Sequence, residues 1–169
     1  FDDKDLQQSF LLSEASGMRY YDEYQKLIDG VGEDFFTSHY REKMREIEEE
    51  LAWSKPGIEA PDFKAMAPDS SWMHLSDYRG KVVVADVWAT WCEPCLNQMP
   101  LLKAIYERYA LQGFEVLAIS LDKEVGRWKA FVAQNGLLWY HVIDTESEQS
   151  AAKTYGLQSI PSSFLISPE

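Results

Sequence analysis

Cysteine is nearly absent from this chain: its 169 residues carry two, Cys92 and Cys95. That scarcity excludes a disulfide-stapled scaffold, in which several bridges replace a hydrophobic core. The pair sits three positions apart, so a bridge between them restricts the unfolded chain little and serves chemistry better than stability. Histidine is scarce too, and His39, His74 and His141 show no paired spacing. Zinc takes about four ligands, and no such set can be assembled here, so no metal is expected. No apolar run approaches the ~20 residues of a spanning helix, and no signal peptide is present. Any membrane tether or export signal is expected outside these residues. Lys and Arg total 16 against 28 Asp and Glu, a net charge of −12. Phosphate recognition needs clustered basic residues, so nucleic acid and anionic lipid are excluded as partners.

The residues present suit a packed core, with 46% hydrophobic and 14% aromatic side chains. Residues 1–53 read as two helices. Leu11, Ala15, Met18, Tyr21, Tyr24 and Ile28 draw one apolar stripe, and Phe36, Tyr40, Met44, Ile47 and Leu51 draw a second. The run Glu48-Glu49-Glu50 is a solvated helix face. Residues 54–57, Ser-Lys-Pro-Gly, mark a linker, and residues 58–169 a second domain. There the rhythm changes to strands at 62–66, 72–75, 81–88, 114–120, 139–143 and 162–166. Helices follow the third and fourth of these, and a short one spans 148–155. Alternating strands and helices imply an α/β domain with a largely parallel sheet. Trp88, Trp53, Trp72, Trp128 and Trp139 are assigned to packing.

Trp91-Cys92-Glu93-Pro94-Cys95 directly follows the apolar strand and opens a helix. Unpaired N–H groups and the positive dipole end at a helix N-terminus stabilise a thiolate. Cys92 is therefore the attacking thiol, and Cys95, about one turn on, resolves the mixed disulfide. Pro94 fits the first turn of a helix without losing a hydrogen bond. Asp86 interrupts the apolar strand, where a buried carboxylate is expensive and tends to hold its proton.

Four segments, in order, resemble the TlpA/ResA-like branch of extracytoplasmic thiol-disulfide oxidoreductases in the thioredoxin superfamily. They are Gly57 to Phe63, Leu75 to Lys81, Lys81 to Cys95 and Tyr155 to Ile166. The resemblance covers residues 57–169 and leaves 1–53 without a family. It implies a thioredoxin fold: a mixed, mainly parallel central sheet flanked by helices, here preceded by the two-helix segment. It also implies a cis peptide before Pro161, with the backbone of Ile160 facing a substrate strand, and Trp91, Glu93 and Pro94 on the substrate-binding rim. Asp86 matches the thioredoxin carboxylate that exchanges protons with the second cysteine. The branch often has a glutamate three residues after that cysteine, where this chain has Gln98. The implied partners are protein thiols and disulfides plus an upstream electron donor, in the bacterial periplasm or tethered facing it. No cofactor beyond the Cys92–Cys95 pair is implied. The fold usually continues with another strand and helix, so a chain extending past Glu169 is expected. Two other readings compete: a binding or assembly module recruited by the helices, and a thiol peroxidase. The latter normally places its cysteine in a Thr-x-x-Cys context, which is replaced here.

Overall fold

The computed structural model describes residues 3–18, 20–144, 147, 149–157 and 159–168. The chain divides into two compact units, Phe1–Ala60 and Pro61–Glu169.

Among the described residues the first unit holds three α-helices rather than two: α1 (Asp3–Ser16), α2 (Tyr21–Val31) and α3 (Ser38–Leu51). The first apolar stripe was expected on one continuous helix, yet it is cut at Gly17. There the amides of Gly17 and Met18 make tight-turn bonds to Glu14 and Ala15, and Tyr20 is extended. Glycine costs about 1 kcal/mol relative to alanine inside a helix, which makes this the cheap place to break. Arg19, within the expected helix, lies outside the described residues. The stripe still reaches one core, where Ala15, Tyr24 and Ile28 pack with Phe36, Met44 and Leu51. Phe36 precedes α3 instead of starting it. The buried Gln8 accepts the Thr37 amide at 2.7 Å and so ties α1 to the start of α3.

The second unit is a sheet with helices at its crossovers. Its elements are β1 (Lys64–Met66), β2 (Trp72–His74), β3 (Val82–Trp88), α4 (Glu93–Tyr109), β4 (Phe114–Ser120), α5 (Val125–Asn135), β5 (Tyr140–Ile143), α6 (Ala151–Thr154) and β6 (Ser162–Ile166). The strand order is β2-β1-β5-β4-β3-β6. β3, β4 and β5 run parallel, joined by α4 and α5, while β6 and β1 flank them antiparallel. Gly113 and Gly136 adopt the left-handed conformation that lets the chain turn back into β4 and β5.

Two expectations need correction. Trp72, assigned to packing, is 50% exposed on edge strand β2, its ring instead covered by Lys64 Nζ at 4.1 Å. The short helix expected over 148–155 is α6 alone, and Glu148 lies outside the described residues. The Ser150 hydroxyl accepts the Lys153 amide, and the Asp144 carboxylate accepts the amides of Ala151 and Ala152, which fixes where α6 begins.

Strand alternation decides which residues of β3 meet α4. Val84 and Trp88 pack into a cluster with Cys92, Cys95, Met99, Val116, Ala118, Trp128 and Trp139. Asp86, between them at period two, lies on the same face.

Candidate active site

The loop after β3 presents the two cysteines at the start of α4. Cys92 is the N-cap of α4, and its Sγ accepts the backbone N–H of Cys95 at 3.3 Å. Its amide donates to Ala89 O at 3.0 Å, closing a tight turn over 89–92. The two sulfurs are joined in a disulfide, with a Cα–Cα distance of 5.3 Å. Both cysteines are buried, at 5% and 4% exposure, so Cys92 is not the more open of the two. What differs between them is charge environment: the N–H points at Cys92, where negative charge would develop.

Around the disulfide, Trp91 is 60% exposed and Glu93 and Pro94 are exposed on the first turn of α4. Ile160 packs half-buried against the cysteine cluster, and the Ile160–Pro161 peptide is cis. Gln98 is exposed on α4, about one turn after the buried Cys95.

Asp86 is half-buried rather than sealed. Its Oδ1 accepts the hydroxyl of Ser163, its register partner on β6, at 2.7 Å. Burial pushes its carboxyl above the ordinary value, with the Ser163 bond pulling the other way.

Two buried polar residues beside the site escaped the sequence reading. Asp122, in the loop after β4, accepts the Thr90 amide at 2.8 Å, the Thr90 hydroxyl at 2.7 Å and the Ser120 hydroxyl at 2.7 Å. Thr90 lies inside the turn that leads into Cys92, so this carboxylate holds the loop from below. Its partner is 32 residues away in sequence, and the only clue was an aspartate at the exit of a buried strand. Removing it strands three donors in a buried place, where each loss costs about 1–3 kcal/mol. Asp122→Ala should therefore lower stability by roughly 3 kcal/mol or more, measured by urea unfolding. A loss below about 1 kcal/mol would mean the loop is held by other contacts.

The second is His141 on β5, 6% exposed. Its ring lies against Trp139 and Trp88, with centroids 5.8 and 6.4 Å away. Burial pushes it down to about 4, so the imidazole is neutral near pH 7. A lone histidine in a strand gave no reason to single it out.

Residues 56–169 match the AhpC/TSA family. A thiol-disulfide oxidoreductase ResA from Bacillus thuringiensis subsp. konkukian is 37% identical over 110 residues, covering 65% of this chain and 62% of the relative. The match thus spans under two thirds of that relative's length. A protein of the same name from Geobacillus kaustophilus is 31% identical over 140 residues, covering 83% of this chain and 75% of its own. Among solved structures, a thiol-disulfide oxidoreductase from Bacteroides fragilis superposes with a TM-score of 0.58 at 28% identity, covering 66% of this chain and 84% of that one.

Proposed function

The chain belongs to the AhpC/TSA family as a ResA-like member with a thioredoxin fold, and we propose that it exchanges its Cys92–Cys95 dithiol with the disulfides of other proteins, as a reductant. One observation carries the reading: Cys92 caps α4 with its sulfur under the Cys95 N–H, while Cys95 sits one turn inside the helix and bonded to it. In the reduced form the Cys92 thiolate attacks a substrate disulfide, forming a mixed disulfide and releasing one substrate thiol. Cys95 then gives up its proton and attacks Cys92 Sγ. The Cys92–Cys95 bond forms, the bond to the substrate breaks, and the substrate leaves as a second thiol. Two electrons pass from the protein to the substrate, so the cysteine pair is the whole redox group.

Asp86 takes the proton of Cys95. Trp91, Glu93 and Pro94 on one side and Ile160 and Pro161 on the other form the rim against which an extended substrate segment lies. Its backbone pairs with Ile160 as a strand would. An upstream dithiol donor, outside the cytoplasm, returns the pair to its reduced state. No helix among the described residues is long and apolar enough to cross a membrane.

The test compares turnover of an oxidised protein substrate with turnover of hydrogen peroxide, using dithiothreitol as the electron source. Equilibration against glutathione buffers then fixes direction. Potentials in this fold run from about −270 to about −120 mV, and the value expected here lies toward the reducing end. Reduction of peroxide without reduction of the protein disulfide would overturn the proposal. So would a potential near the oxidising end.

A further inference from the structure

One peptide unit links the Cys92 loop to a buried charge on the neighbouring strand. The Ala89–Thr90 peptide donates its N–H to the Asp122 carboxylate at 2.8 Å, and its carbonyl accepts the Cys92 N–H at 3.0 Å. Carboxylate and cysteine amide thus sit at the two ends of a single hydrogen-bonded peptide, at most roughly 8 Å apart. Two more bonds fix the arrangement. The Thr90 hydroxyl reaches Asp122 at 2.7 Å, and the Leu121 N–H reaches Trp88 O at 2.9 Å. The chain ends of β3 and β4 therefore stay paired beyond the strands themselves. Asp122 and Cys92 are both 5% exposed, so water screens the charge of one from the other only weakly.

Holding the loop does not require that charge. An asparagine oxygen could accept the Thr90 N–H and the Ser120 hydroxyl, while its amide donates to Thr90 Oγ1. Burying an amide also costs less than burying a carboxylate. We infer that Asp122 is a positioning residue of the redox centre: it acts on Cys92 through the Ala89–Thr90 peptide, and its charge opposes the Cys92 thiolate and keeps the pair reducing. The inference rests on the proposed dithiol exchange and names what sets its direction. A carboxylate polarises the peptide whose N–H it accepts, which makes Ala89 O a stronger acceptor for the Cys92 N–H. The turn is fixed in this way, while the negative charge disfavours a second one on Cys92 Sγ. Two glutathione thiols give two electrons and two protons to the disulfide, forming the Cys92–Cys95 dithiol and glutathione disulfide. Cys92 S–H then loses its proton to water. A group that hinders this loss leaves the dithiol less stable and the protein a better reductant.

Neighbouring charges bound the size of the effect. Glu93 follows Cys92 on α4, and Asp86 stands on the same face of β3, so both act in the same sense as Asp122. On its other side Asp122 lines a cavity together with Lys123, Asp144 and Lys153, whose charges partly offset its own. Cys95 and Tyr106 are the other titratable groups of α4 in the disulfide cluster. The α5 residues packed there, Val125, Trp128, Phe131 and Val132, carry no charge. His141 of β5, beside Trp88, is neutral near pH 7.

The experiment follows, on the full chain, the rate at which iodoacetamide alkylates reduced Cys92 from pH 5 to 10, and the equilibrium with glutathione. Asp122→Asn keeps the contacts and removes the charge. Its rising limb should move to lower pH by about half a unit to one unit. On the alkaline side of the limb, the glutathione equilibrium should favour the dithiol about three- to tenfold more than in the wild type. That is a rise of about 15 to 30 mV in potential. Thr90→Val removes the hydroxyl bond but leaves the charge and the amide bond, so it should lower the urea midpoint without moving the limb. An unmoved limb in Asp122→Asn would overturn the inference. So would an equal shift in Thr90→Val, the mark of a loop that is merely loosened. Should Asp122→Asn fail to fold, the reduced wild-type protein decides. Its Asp122 carboxyl ¹³C signal should shift through the titration of Cys92, and a signal that stays flat there overturns the coupling. Normal disulfide turnover with an unmoved limb defeats this inference alone, whereas absence of disulfide turnover defeats the proposed function.

Discussion

Cys92→Ser is expected to lower turnover of a protein disulfide by roughly three orders of magnitude or more, because it removes the only group that can open the exchange. Cys95→Ser should leave the first attack intact and accumulate a stable mixed disulfide through Cys92. The two changes are alike in size and the two thiols almost equally buried, so access does not separate them. Electrostatics does. As N-cap of a 17-residue helix, Cys92 sits at the positive end of the dipole and its sulfur accepts a backbone N–H. A thiolate there is stabilised relative to the thiol, and thiolates are the attacking species. Cys95 lies within the first turn, past the end of the helix where the dipole acts most strongly on Cys92. Mass spectrometry of the reduced protein after brief alkylation at neutral pH should find the label on Cys92. Preferential labelling of Cys95, or a Cys95→Ser protein that traps no substrate, would reverse the roles.

What the sequence discloses here is whatever is written locally. β4 and β6 cover the very residues that the sequence marks as strands, Phe114–Ser120 and Ser162–Ile166. The helix start at Cys92 and Pro94 is equally local, and so is the cis peptide once the Ile160-Pro161 motif is recognised. Contacts between distant segments stay hidden. Asp122 meets Thr90 across 32 residues, and Asp86 meets Ser163 across 77 through the adjacency of β3 and β6, which no spacing along the chain encodes. The exposure of Trp72 follows from β2 being an edge strand, again a matter of sheet order. The N-terminal break failed for a different reason. An apolar stripe at helical spacing persists through Gly17 because both helices turn it toward the same core, so periodicity alone reported one helix where there are two.

Asp86→Asn should slow resolution of the mixed disulfide by about 10²- to 10⁴-fold, the usual worth of a well-placed acid-base group. The first attack by Cys92 should be far less affected, since Cys92 draws its activation from the end of α4. Asparagine keeps the shape and can still meet the Ser163 hydroxyl, so the loss isolates proton transfer from packing. Gln98 cannot substitute, because an amide side chain does not take up or release a proton near neutral pH. The pH dependence follows from the direction of the shift. The folded-state pKa of Asp86 is raised by burial. Resolution needs the carboxylate, so its rate in the wild type should rise with pH through that value. Ser163→Ala removes a donor to the carboxylate and should carry the limb to still higher pH. Stability runs the opposite way. A raised folded pKa contributes stability that is fully present below the unfolded value of about 3.9 and is lost as pH rises through the folded one. Asp86→Asn should therefore stabilise the protein at pH 7 and bring no such gain near pH 3, as read from urea midpoints at the two pH values. A variant that resolves at the wild-type rate from pH 6 to 9, with Gln98→Ala slow instead, would place the proton path on the exposed side of α4.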